Sequence, residues 1–230
     1  VPRQYTIAER QPASASLSRP GDFQLGDRLD IPFPRDRAVA YIADFRVREL
    51  LFTALPRSPG LSTAPLFYNA QRQAAEIVSR VPFDGLDALY PEDGAPLRPL
   101  IVLSIGCCGS EQISRLLEIA GITAITDPEP FSQSQGLKGR LDSQAARPKD
   151  QIRADAATVL RATVRSLGHW AEVPSDRMAL KLRSQANMAA GTIAAVFPQA
   201  RYVFVFRKLD PWLRAFVTGF NQRAEQIAST

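Results

Sequence analysis

The spacing of apolar residues changes character near residue 99. Before it, Val39, Ile42, Phe45, Leu50 and Leu51 recur at roughly helical intervals. That spacing predicts a helix from Asp36 to about Ala54. Pro56, Pro59 and Pro65 break the pattern, and a second helix is expected from about Ala64 to Val81, stopped by Pro82. Residues 83–99 read as a loop, with turn chemistry at Asp84-Gly85 and Asp93-Gly94. Residues 1–35, rich in Pro, Ser, Arg and Asp, predict an extended arm lying over the body of the protein or over a neighbour.

After residue 99, short apolar runs alternate with helical patterns. Pro99 to Ile105 is a continuous apolar run, as expected for a buried parallel strand. A small-residue turn follows, and then a helix from Glu111 to Ala120 with Ile113, Leu116, Leu117 and Ala120 on one face. Ile122–Thr126, Met178–Leu182 and Tyr202–Phe206 predict further strands. Between and after them, helices are expected over Gln151–Trp170, Ala186–Val196 and Pro211 to about Ile227. Such alternation predicts a parallel sheet with helices on both faces. The loops 106–110, 127–131, 183–187 and 207–211, at the carboxyl ends of the strands, should then face one crevice.

Composition narrows the function classes. Hydrophobic residues make up 45% of the 230 and charged residues 22%, enough to bury a core. The only cysteines, Cys107 and Cys108, are adjacent, so no disulfide framework exists and a cytoplasmic, reducing location is expected. Net charge is +5, and 24 of the 28 cations are Arg. Arg suits phosphate and carboxylate ligands, although codon bias gives the same skew. No basic block suggests a nucleic-acid partner, and no long apolar stretch suggests a membrane one.

Three strand ends carry candidate chemistry. Gly106-Cys-Cys-Gly-Ser110, leading into Glu111 and a helix, can present backbone N–H groups and a dipole end to an anion, or be a plain tight turn. Arg207 ends the Tyr202–Phe206 strand and can grip a phosphate or pair with Asp210. Lys181 and Arg183 share one face of a strand end and meet either an anion or water. Glu129, held between two prolines, and His169, the only histidine, are candidate bases; His169 can equally serve as a helix C-terminal cap. The paired thiols are either redox-sensitive or small residues that fit the turn, and they lack the ligand spacing for zinc.

Taken together, Pro99-Leu-Ile-Val-Leu-Ser-Ile-Gly-Cys-Cys-Gly-Ser110, Ser114-Arg-Leu-Leu-Glu118, Asp127-Pro-Glu-Pro-Phe131 and Phe197-Pro-Gln-Ala-Arg-Tyr-Val-Phe-Val-Phe-Arg207 resemble the P-loop sulfotransferase family over roughly residues 98–220. The resemblance implies a P-loop NTPase-like α/β domain over 98–230, with truncation at the C-terminus as an expectation, behind an arm (1–35) and a helical leader (36–97). It implies transfer of a sulfuryl group from 3′-phosphoadenosine 5′-phosphosulfate, without a metal, to a hydroxyl or amine of a small-molecule, glycan or peptide acceptor. In it, Gly106, Cys107, Cys108, Gly109, Ser110 and Glu111 hold the phosphosulfate, Arg207 and the position of Ala215 hold the 3′-phosphate, and Lys181 faces the donor. Two positions depart from the family pattern: Cys107 stands where members carry Arg or Lys, and Ala215 where they carry Ser, with Thr218 one turn on. A non-catalytic nucleotide- or anion-binding module docking on a partner is the alternative. A nucleotide kinase is disfavoured by the missing P-loop Lys. Self-association through the arm is a further expectation.

Overall fold

The computed structural model describes residues 1–12, 18–58, 60–91, 96–133 and 148–228, with side chains as far as Thr218. The turn expected at Asp93-Gly94 and most of the loop 132–150 lie outside these residues. The chain is a mixed α/β protein with two sheets, of which the second is parallel, four-stranded and flanked by helices.

The first sheet overturns the reading of residues 1–97 as arm and helices. Its strands are β1 (Arg3–Arg10), β2 (Phe23–Leu29), β3 (Ala38–Asp44), β4 (Glu49–Ala54) and β5 (Ile77–Pro82), in the order β2-β1-β5-β4-β3. All pairings are antiparallel. Among the described residues of 36–97, only α1 (Phe67–Ala74) and the single turn α2 (Leu86–Leu89) are α-helical. The reason is burial on both sides. Every residue of β3 and β4 is buried. Val39, Tyr41 and Leu51 enter one apolar cluster, and Ala38, Ala40, Leu50 and Phe52 enter another behind it. A strand buried on both faces has no alternation to betray it, and short apolar runs fit either period. A register shift between Ala40 and Ile42 scrambles the pattern further.

The second sheet follows the reading closely. β6 (Leu100–Ser104), β7 (Thr123–Thr126), β8 (Met178–Lys181) and β9 (Arg201–Val205) lie in the order β7-β8-β6-β9. Between and after them come α3 (Ser110–Ile119), the short α4 (Glu129–Gln133), α5 (Lys149–Ala171), α6 (Ala190–Val196) and α7 (Leu209–Ala228). Ile152, Ala156, Val159, Leu160, Val164 and Leu167, the apolar positions that make the α5 segment amphipathic, are all buried. α3 departs from expectation: its buried residues are Ser110 and Ser114, while Leu116 and Ile119 are exposed. One cluster, running from Val39 and Phe67 through Leu160 and Trp170 to Ile101 and Leu180, joins the two sheets. Among the described residues, no helix is long and apolar enough to cross a membrane.

Candidate anion crevice at the carboxyl rim of the parallel sheet

Strand order places the crevice. The β6-to-β7 connection, through α3, runs two positions one way, and the β8-to-β9 connection, through α6, runs two positions the other. Right-handed crossovers in opposite directions put α3 and α6 on opposite faces of the sheet. The connections therefore diverge beyond the ends of the adjacent strands β6 and β8, where open α/β sheets bind ligands.

The turn after β6 is built from left-handed residues. Gly106, Cys107 and Gly109 have φ of 71°, 49° and 92°. Glycine adopts this region freely, whereas Cys107 does so at a cost of roughly 1–2 kcal/mol. No side chain caps the start of α3; its Gln112 amide donates to the Gly109 carbonyl at 3.0 Å, and the Ser110 and Glu111 amides ahead of it lie in the first turn, at the positive end of the helix. A Cβ at Gly106 would come within 3.7 Å of the Ser184 hydroxyl oxygen. Trp212 Nε1 donates to the Gly106 carbonyl at 3.0 Å, and Asn187 Nδ2 donates to the Ser104 carbonyl at 2.8 Å. The turn thus touches both the segment after β8 and the start of α7. Cys107 is exposed and Cys108 partly so, and both thiols are free.

Arg207 lies on the same rim. β6 and β9 pair in register as far as Ser104 and Val205, so Gly106 and Arg207 stand two residues beyond the last pair. Arg207 is exposed and makes no ion pair among the described residues. Ala215 is half-buried and Thr218 exposed on α7.

The two cations after β8 meet neither solvent nor an open anion site; each meets a carboxylate. Lys181 Nζ donates to Asp127 Oδ1 at 3.0 Å, with Glu111 Oε2 at 3.9 Å. Arg183 Nη1 donates to Glu129 Oε2 at 3.2 Å, and its Nη2 donates to the Tyr68 hydroxyl at 3.2 Å. The Arg183 guanidinium also lies over the Tyr68 ring, 4.6 Å from its centre. The spacing explains the match. Asp127 and Glu129 are two apart after β7, as Lys181 and Arg183 are two apart across the end of β8, and Thr126 pairs in register with Lys181. The pattern Asp-x-Glu at one strand end and Lys-x-Arg at another is the signal from which the pairing could have been read.

Glu129 is fully buried. Its Oε2 accepts from Arg183, while Oε1 makes no hydrogen bond among the described residues. Burial raises its carboxyl to about 7, against the opposing pull of Arg183 and of the Ser18 amide. A carboxyl at that value can exchange a proton near neutral pH. His169, by contrast, is not brought to the crevice. It lies near the end of α5, with its Nε2 3.2 Å from Arg35 Nη2, beside the Tyr90 ring. It lines a cavity of about 670 Å3 that also contains Met178, the first residue of β8, and so belongs to the opposite rim. A second cavity of about 410 Å3, lined by Arg98, Leu100 and Arg201, sits at the same amino end.

Compared with family models, curated proteins and solved structures, the chain matches none.

Proposed function

We propose that the crevice binds 3′-phosphoadenosine 5′-phosphosulfate and that the protein transfers its sulfuryl group to a hydroxyl or amine, on a P-loop NTPase-like sheet. The observation that carries the reading is the left-handed turn Gly106–Gly109 opening onto a helix start without a side-chain cap, with Arg207, in no ion pair among the described residues, one strand away. Amides at a helix start favour an anion, and a forked guanidinium favours a phosphate. The residues fit the two ends of such a nucleotide. The turn amides and Ser110 would hold the phosphosulfate, and Arg207 the 3′-phosphate.

Sulfuryl transfer is positioning plus stabilisation of charge on the leaving bridging oxygen, as in phosphoryl transfer. In this chain the turn amides and Ser110 supply donors there, and Lys181 supplies a cation whose charge Asp127 and Glu111 already share. Glu129, poised near neutrality, takes the acceptor proton only if Arg183 and Tyr68 move aside, because its carboxyl is enclosed. That enclosure, together with the neutral Cys107, favours the second reading: a nucleotide- or anion-binding module without turnover.

Calorimetry with 3′-phosphoadenosine 5′-phosphate separates these from no site at all: absence of heat and of a thermal shift at millimolar ligand removes both. Labelled-sulfate transfer to a panel of alcohols, glycans and amines separates them from each other. Turnover that disappears in Arg207→Ala supports the enzyme. Binding lost in Arg207→Ala with no product from any acceptor supports the module.

A further inference from the structure

β9 has the composition of an interior strand but stands last in its sheet. Parallel strands are as a rule covered on both faces. Here Tyr202, Val203, Phe204 and Phe206 are 39%, 40%, 53% and 71% exposed. Leu209, Leu213, Phe216 and Val217, at helical spacing on α7, are exposed as well. Among the described residues no strand pairs with the outer edge of β9 either. The Arg201 amide donates to the Pro99 carbonyl at 3.2 Å, and the Val205 carbonyl accepts from Ile105 at 3.4 Å. Residues 201, 203 and 205 therefore turn their backbone groups to β6, and alternation turns those of Tyr202 and Phe204 outward. An edge of this kind is a template for another strand.

Charge selects the occupant. Arg201 begins the strand and Arg207-Lys208 follows it; all three are exposed and none is in an ion pair among the described residues. Asp210, in the first turn of α7, is the acid nearest in sequence and leaves the flanks positive. A second copy is poorly matched. Two-fold pairing of β9 is antiparallel and sets Arg201 of one copy toward Arg207 and Lys208 of the other, which is repulsive. We propose that the open edge of β9 receives an extended segment of another protein, apolar at its centre and acidic at both ends, which adds to the sheet as a fifth strand.

The test uses the full chain and two short labelled peptides with the same alternating Val-Thr centre, one flanked by Asp and one by Lys. The acidic peptide should bind at least about tenfold more tightly than its Lys counterpart and weaken with added salt. It should also slow amide exchange at Tyr202 and Phe204. Phe204→Pro, which removes an outward amide, should abolish binding. Should that variant unfold, Arg201→Glu combined with Lys208→Glu decides the matter by inverting the peptide preference. Equal binding of both peptides overturns the proposal. So does protection of the Tyr202 and Phe204 amides in the free monomer, which would mean that the chain covers its own edge. Self-association that protects the same amides would assign the edge to a second copy and overturn it equally.

Discussion

Two clusters in this molecule are made of the same parts, an acid, an arginine and a tyrosine, and the parts are used differently. In the first sheet, Tyr41 donates to Asp22 Oδ2 at 2.6 Å, Arg72 Nε donates to the Tyr41 hydroxyl at 2.8 Å, and Arg72 pairs with Asp22 at 2.9 Å. All three side chains are buried, and Arg72 Nη1 also donates to the Pro12 carbonyl. Burial and the Asp22 carboxylate push the Tyr41 phenol above its ordinary value. This cluster ties the turn before β2 to β3 and α1. At the carboxyl rim, Glu129, Arg183 and Tyr68 form the second cluster, but one carboxylate oxygen lacks a partner among the described residues and the acid is raised to about 7. Paired charges make the first cluster a lock. A carboxyl raised to about 7 leaves the second able to change its proton content near neutral pH.

The sharpest break of that contrast is Arg72→Ala. It strands a buried carboxylate and should cost about 3–5 kcal/mol in urea unfolding. A loss below about 1 kcal/mol would mean that Asp22 finds water or a proton instead.

Phe52 and Phe204 extend the contrast from charges to packing. Phe52 is fully buried in β4, whereas Phe204 is 53% exposed in β9. Phe52→Ala should cost about 3–5 kcal/mol, and Phe204→Ala less than about 1 kcal/mol. Similar losses at the two sites would show that the β9 edge is covered in solution.

Glu129→Gln sharpens the second cluster. The native carboxyl keeps its proton up to about 7, whereas the unfolded one sheds it in the ordinary carboxylate range. Native Glu129 thus contributes stability that is full in acid and drains as pH rises to about 7. The drain is on the order of 3 kcal/mol. Subtracting the unfolding free energy of Glu129→Gln from that of the wild type at pH 5 and at pH 8 isolates it. A difference independent of pH would place Glu129 at an ordinary value.

Arg183→Ala is the smallest effect. Glu129 can answer the loss of its partner by staying protonated, so the cost should be about 1–2 kcal/mol, well under that of Arg72→Ala. Parity between the two arginine variants in parallel urea titrations would erase the distinction drawn between the clusters.

The second half of the chain was readable because its strands and helices obey different periods and are separated by turn chemistry. Tyr202–Phe206 and the face of α5 from Ile152 to Leu167 were placed within a residue or two. The first half misled for a physical reason. In Ala38–Ala43 every residue is apolar, so the run satisfies a helix and a strand alike, and only the two cores that take up its opposite faces decide. The rim was half legible. The glycine turn and Arg207 were singled out, and the structure puts them on one edge. The capture of Lys181 and Arg183 by Asp127 and Glu129 needed the β7–β8 register.

By itself the sequence determined where the parallel strands end and which small and charged residues stand at those ends, because local period and turn chemistry act within a few residues. Tertiary structure alone decided that Ala38–Asp44 is extended, that His169 belongs to the far rim, and that Glu129 is buried against Arg183. Each of these depends on which distant surfaces meet, and burial, desolvation and ion pairing arise only where they do.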